Sequence, residues 1–206
     1  MTPSAESRAE KNRIGIVILA AGESARMGQP KQLLPFRGTT LLRHTADTAL
    51  ALGAGPVAVV LGAFADAIRP TLENLPALIV ENPDWREGMG TSLCTGLRAL
   101  LDAHPDLVAA IFLLSDQPLL SAENLHSLIT AHEHTSSAII ASEYDGTLGV
   151  PALFHRSLFP ELLALADTEG AKKIIARHRG SVATVPFPEG AVDMDTPSDY
   201  ARLREK

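Results

Sequence analysis

The chain has 206 residues, a formal net charge of −6, 46% hydrophobic residues and 20% charged ones. That length suits one domain with a sizeable core, and an acidic balance without a basic patch excludes a nucleic-acid-binding role. No apolar run approaches the ~20 residues of a membrane helix, and a single cysteine, Cys94, excludes an intrachain disulfide and suits a reducing cytoplasm.

Residues 1–13 (MTPSAESRAEKNR) are polar, lack the apolar stretch of a signal peptide, and read as a disordered leader ahead of a single domain over 14–206. Residues 14–19 (IGIVIL) form a near-continuous, β-branched apolar run, the composition of a strand buried on both faces. An amphipathic helix is predicted over 41–52, ended by Gly53, then a strand over 57–61, a helix over 64–75 and a strand over 77–80. A helix over 91–104 leads into the longest apolar run, 107–114, followed by a helix over 121–134 and a strand over 138–141. This βαβα rhythm predicts an α/β fold: a three-layer, doubly wound, mostly parallel, Rossmann-like sheet with right-handed crossovers. After Tyr144 the rhythm breaks. Residues 145–190 are expected to form an irregular subdomain over the sheet's binding edge, with a short strand-like run at 182–185.

The loop after the first strand carries the chemistry, because open α/β sheets bind ligands at the carboxyl ends of their strands. It reads LAAGESARMGQPK, residues 19–31. Gly22 and Gly28 have five residues between them and no lysine directly follows Gly28, so neither a P-loop nor a dinucleotide fingerprint is present. The content is nonetheless phosphate-like. Gly22 and Gly28 are expected at positive φ with amides turned to a ligand. Arg26 offers a planar fork for phosphate oxygens and Lys31, stiffened by Pro30, a point charge. Asp116 follows the longest apolar run, where a carboxylate at a strand end suits Mg²⁺ completed by substrate phosphates. The stretch TPSD, residues 196–199, has the form of a capping box with proline at N1, which would hold Asp195 and Asp193 on a defined backbone. GMGTSL, residues 88–93, places glycines before a helix start, a candidate anion or ribose site in which Ser92 can hydrogen-bond a base or sugar. Cys94 suits a small core residue, and His132 and His134, two apart on a helix, suit solvated side chains rather than a metal pair. Trp85 and Arg86 suit either ring stacking or a hydrophobic anchor.

LAAGESARMGQPK with LLPFRGTTLL resembles the signature of nucleotidyltransferases built on a glycosyltransferase-A-like fold. With NPDWREGMGTSLCTGL (82–97), LLSDQP (113–118), GVPALF (149–154) and DMDTPSDY (193–200), the resemblance narrows to the molybdenum cofactor cytidylyltransferases and spans residues 14–203. The first motif is shared by many nucleotidyltransferases; the GMGTSL and DQP pair points to the molybdopterin branch.

That resemblance implies joining of CMP from CTP to the phosphate of molybdopterin, with release of pyrophosphate. It implies nucleotide contacts from Leu19, Ala20, Ala21, Gly22, Gly28, Gly90 and Ser92, catalytic roles for Arg26 and Lys31, Mg²⁺ on Asp116 and Asp195, and Asp193 in support. Ala21 is expected to narrow the base pocket against purines. GVPALF and residues 159–175 would lie on the acceptor side, where Lys172 could meet an acceptor phosphate. The partners implied are CTP, a molybdopterin-type cofactor, and an apo-molybdoenzyme or its chaperone as recipient. A sugar- or alditol-phosphate nucleotidyltransferase, or a carrier of the finished dinucleotide, stands as the alternative.

Overall fold

The structure is a computed structural model that describes residues 13–204, so the predicted leader lies outside the described residues except for Arg13. Strand β1 (Ile14–Ala20) is buried along its whole length. Ile14, Ile16 and Ile18 point into one layer of core, and Val17 and Leu19 into the other. A short hairpin of β2 (Pro35–Phe36) and β3 (Thr39–Thr40) then precedes helix α1 (Leu41–Ala51), whose first turn is capped by the Thr40 hydroxyl accepting from Arg43 N. Strand β4 (Val57–Leu61), helix α2 (Ala65–Ile68), strand β5 (Leu78–Glu81), helix α3 (Met89–Ala103), strand β6 (Ala109–Leu114) and helix α4 (Ala122–Thr135) continue the predicted alternation. The helix predicted over 64–75 is cut short. Pro70 has no N–H to donate, and the chain passes from α2 into a 3₁₀ turn over Arg69–Leu72.

The rest of the chain adds strands β7 (Ile139–Tyr144) and β8 (Thr147–His155), helices α5 (Phe159–Leu163) and α6 (Ala171–Arg177), strand β9 (Val182–Pro186) and helix α7 (Pro197–Arg204). The seven-stranded sheet runs β5-β4-β1-β6-β8-β7-β9 and only β8 opposes its neighbours. The sheet is thus mostly parallel, with α1 and α4 contributing to the core on one face and α3, α5 and α6 on the other. The expectation of an irregular cover over 145–190 is corrected. Asp145 and Gly146, both at positive φ, make a two-residue turn that sends β8 back between β6 and β7. GVPALF is a buried central strand of the sheet. Residues 159–175, expected on the acceptor side, pack on the core through Phe159, Leu162, Leu165, Ala171, Ile174 and Ile175, and the residues between them are partly or fully exposed.

Register aligns the functional edge. Ala20 pairs with Leu61, and Leu19 with Leu114, so the loops leaving β1, β4 and β6 emerge side by side. Among the described residues no helix is long and apolar enough to cross a membrane.

Candidate active site

A cleft of about 250 Å³ opens at that edge, and Leu19, Ala20, Ala21, Gly22, Lys31, Ser92 and Asp116 all line it, joined by Trp85 and Met89. The loop leaving β1 is wound tightly by local bonds. Gln32, almost wholly buried, donates from Nε2 to the carbonyls of Ala20 (3.0 Å) and Gly22 (2.9 Å). The Ser24 hydroxyl accepts from Lys31 N at 3.1 Å. Gly28 takes a φ of +72°, as expected, but Gly22 does not; Ser24 supplies the other left-handed residue, at +55°. Gly28 therefore shapes the loop that carries Arg26 and Lys31.

Four charged side chains converge from three distant segments. The Lys31 ammonium lies 2.6 Å from Asp116 Oδ2 and 3.0 Å from Asp195 Oδ1, and Arg26 Nη2 lies 2.7 Å from Asp195 Oδ2. Lys31 and Asp116 are each only 15% exposed, so their attraction is little screened by solvent, whereas Arg26 reaches in from the surface. Burial pulls the Lys31 pKa down, but Asp116 and Asp195 outweigh it and the net direction is upward. Asp193 belongs to the same cluster. Burial first, then the negative charges of Asp116 and Asp195, push its carboxyl up to about 6, against the opposing pull of Lys31 and Lys172. Met194, between the two acids, is anchored by its N–H on the Asp116 carbonyl at 3.0 Å. The capping box predicted ahead of α7 forms: Thr196 N donates to Asp199 Oδ2 at 2.9 Å and Asp199 N to Thr196 Oγ1 at 3.3 Å.

Among the described residues no three His, Cys, Asp or Glu side chains converge as a metal cage. Two carboxylates do share one cation, however, and Asp116 Oδ1 is buried with no partner. A hard oxygen left without a donor beside a second carboxylate fits Mg²⁺, which takes one or two protein carboxylates and fills its shell with water and phosphate.

The opposite wall is set by GMGTSL. Helix α3 begins at Met89, earlier than the predicted start, and Gly88 precedes it at φ +139°. Gly90, implied as a nucleotide contact, has its amide already engaged. Its N–H donates to the Asp167 carbonyl at 2.8 Å, and a Cβ there would fall 2.9 Å from the carbonyl oxygens of both Asp167 and Glu169. Gly90 is small because the loop before α6 presses on it. Ser92 does face the cleft; its Oγ accepts from Asn82 Nδ2 at 2.9 Å, leaving the hydroxyl hydrogen to donate. Gly62 sits close against Ala21 and Trp85: a Cβ on it would stand 2.8 Å from the Cβ of each. Arg86 lies over the Trp85 ring at 4.4 Å, and Trp85 lines the cleft.

Three buried amides that the sequence does not mark out tie these segments together: Gln32, Asn82 and Gln117, the last donating to the carbonyls of Val150 and Gly190. Gln32 and Gln117 directly follow Lys31 and Asp116, and that adjacency was the available signal; Asn82, which donates to Thr91 and Ser92, had none. Cys94 is buried, donates toward the Leu162 carbonyl at 3.4 Å, and is held above its usual pKa mainly by burial. His132 and His134 each turn Nδ1 to a backbone carbonyl, of Ser137 and Thr130 respectively. Lys172 lies against Gly149, near enough to Asp193 to lower its pKa.

Residues 16–182 match the model of the MobA-like NTP transferase domain. The chain is 34% identical over 169 residues to the nicotine blue oxidoreductase of Paenarthrobacter nicotinovorans, covering 79% of this chain and 81% of that protein. It is 30% identical over 199 residues to the molybdenum cofactor guanylyltransferase of Rhodobacter capsulatus, covering 94% and 96%. Among solved structures, Rv0371c of Mycobacterium tuberculosis H37Rv superposes with a TM-score of 0.80 at 32% identity, covering 95% of this chain and 100% of that one. A second structure of Rv0371c, in complex with manganese, gives 0.78 at 31% identity, covering 94% and 99%.

Proposed function

The chain belongs to the MobA-like NTP transferase family, a family of nucleotidyltransferases, and from that premise we propose that it transfers CMP from CTP to the phosphate of a molybdopterin-type cofactor, releasing pyrophosphate. The observation that carries this reading is Lys31 held between Asp116 and Asp195, with Arg26 on the second carboxylate, at the carboxyl edge of β1 and β6. Near full-length similarity to a molybdenum cofactor guanylyltransferase supports the acceptor class. The choice of cytosine rests on Ala21, which lines the cleft and whose side chain would narrow it against a purine.

A phosphate monoester, with a second pKa of ~6, is largely dianionic at neutral pH and attacks the α-phosphorus without a general base. The chain's task is to gather anions and neutralise charge. Lys31 and Arg26 would take the phosphate oxygens, Lys31 from a loop fixed by Gln32 and Ser24. Ser92 would orient the sugar or base from α3. Asp116 and Asp195 would hold Mg²⁺, with Asp193 in support; the metal would supply Lewis-acid neutralisation of the phosphates. The manganese complex of Rv0371c supports a divalent ion on this fold.

The test is pyrophosphate release with molybdopterin, Mg²⁺ and each of CTP, GTP, ATP and UTP, with Asp116→Asn as the comparison protein. Turnover should be highest with CTP and fall on the order of 100-fold or more in the variant, the scale of losing an electrostatic contact to the transition state. Preference for GTP would overturn the base assignment, and silence with all four nucleotides would overturn transfer to molybdopterin. An undiminished Asp116→Asn would remove Asp116 from the metal.

A further inference from the structure

Of the four carboxylate oxygens on Asp116 and Asp195, three are already taken by the chain's own cations. Asp116 Oδ2 and Asp195 Oδ1 face Lys31 Nζ, and Asp195 Oδ2 faces Arg26 Nη2. Only Asp116 Oδ1 lacks a partner, and it is buried. A dication placed on that oxygen would sit beside the Lys31 ammonium, inside a pocket where charge is weakly screened. It would therefore meet repulsion as well as a half-filled ligand set.

Resting on the reading above, we infer that Lys31 and Arg26 are resident counter-ions of Asp116 and Asp195 in the substrate-free protein, and that a divalent cation gains both carboxylates only when a polyphosphate draws those two side chains away. The exchange balances by charge. The triphosphate offers Lys31 and Arg26 stronger anionic partners than the carboxylates, and the vacated carboxylate oxygens then become ligands for the ion that arrives with it. The reach of the two cations supports the exchange. Arg26 is 71% exposed at its side chain, so solvent lies beside its pairing with Asp195, and Lys31 enters from the same loop and lines the cleft. The apo site thus carries a built-in competitor for its metal, and metal and nucleotide bind cooperatively because each displaces what blocks the other.

The experiment is manganese binding to the full chain with no nucleotide or acceptor present, followed by the electron paramagnetic resonance of free Mn²⁺. Lys31→Met should bind Mn²⁺ at least tenfold tighter than the unsubstituted protein, and Arg26→Met should gain by a smaller factor. Adding Asp116→Asn to Lys31→Met should abolish the gain. Equal or weaker affinity in Lys31→Met would overturn the inference. Should that variant fail to fold, Arg26→Met, altered at an exposed position, carries the test alone, and unchanged affinity there overturns it. Neither CTP nor molybdopterin takes part, so silence of the unsubstituted protein in the separate pyrophosphate-release assay would sink the proposed reaction, while a gain in Mn²⁺ affinity would leave this inference standing.

Discussion

His44 shows how one side chain can tie stability to pH away from the reacting groups. It lies on α1 beneath the short hairpin, edge-on to Phe36 at 4.9 Å, with Nε2 buried and unpartnered. Burial, then the charge of Arg37, lowers its pKa below the usual 6.5, only partly offset by Asp47. Because the unfolded chain takes up this proton more readily than the folded one, stability rises with pH through that window and is lost as pH falls below about 6.5. Urea unfolding should show the wild-type midpoint dropping between pH 7 and pH 5. His44→Leu should flatten that drop; a variant as acid-sensitive as the parent would assign the loss elsewhere. At this scale the charged residues of the cleft were legible, because Arg26, Lys31 and Asp116 stand where apolar strands end. Gln32, Asn82 and Gln117 were not, because an uncharged amide becomes informative only once the fold shows which carbonyls and hydroxyls it must satisfy.

At the scale of elements, α3 approaches the sheet so closely that a Cβ on Gly96 would lie 2.8 Å from Val60 Cγ2 and press on Val17 Cγ1 as well. Both valines are fully buried in strands paired on either side, so neither can retreat. Gly96→Ala should therefore cost about 1–3 kcal/mol through overpacking, despite alanine's better helix propensity. Denaturant melts read the sign directly, and a stabilised variant would show that α3 can shift outward. Strands β1, β4 and β6 were legible because burial on both faces produces unbroken apolar runs. Strand β8 was hidden by Gly149 and Pro151, residues that argue against a central strand. The structure accommodates the proline in a bulge. Pairing with β7 jumps from Ala141↔Ala152 to Ser142↔Gly149, so Val150 and Pro151 stand outside the ladder, and Ser142 Oγ donates to the Pro151 carbonyl at 2.7 Å. A bulge of this kind has no periodicity to read in the sequence.

For the whole molecule, the cleft draws on β1, β6 and α3 at once, and its charge cluster spans positions 26 to 195. Any ligand filling it stabilises the assembled sheet and not the unfolded chain. At a concentration of 100 Kd that linkage is worth about 2.7 kcal/mol, which for a domain of this size corresponds to a rise in Tm of about 5–10 °C. Thermal melts with CTP and Mg²⁺ should show the rise, with GTP giving less; a larger shift with GTP would reverse the base assignment by a route independent of turnover. The same sheet order bears on biosynthesis. Strand β6 (AAIFLL) pairs on one side with β1, already made, but its other neighbour is β8, whose pairing residues 152–155 emerge about 40 residues later. At ~5–20 residues per second the ribosome leaves that apolar edge uncovered for roughly 2–8 s. During that interval it is the part of the nascent chain most open to pairing with a neighbour's strand, and the one a chaperone would need to shield.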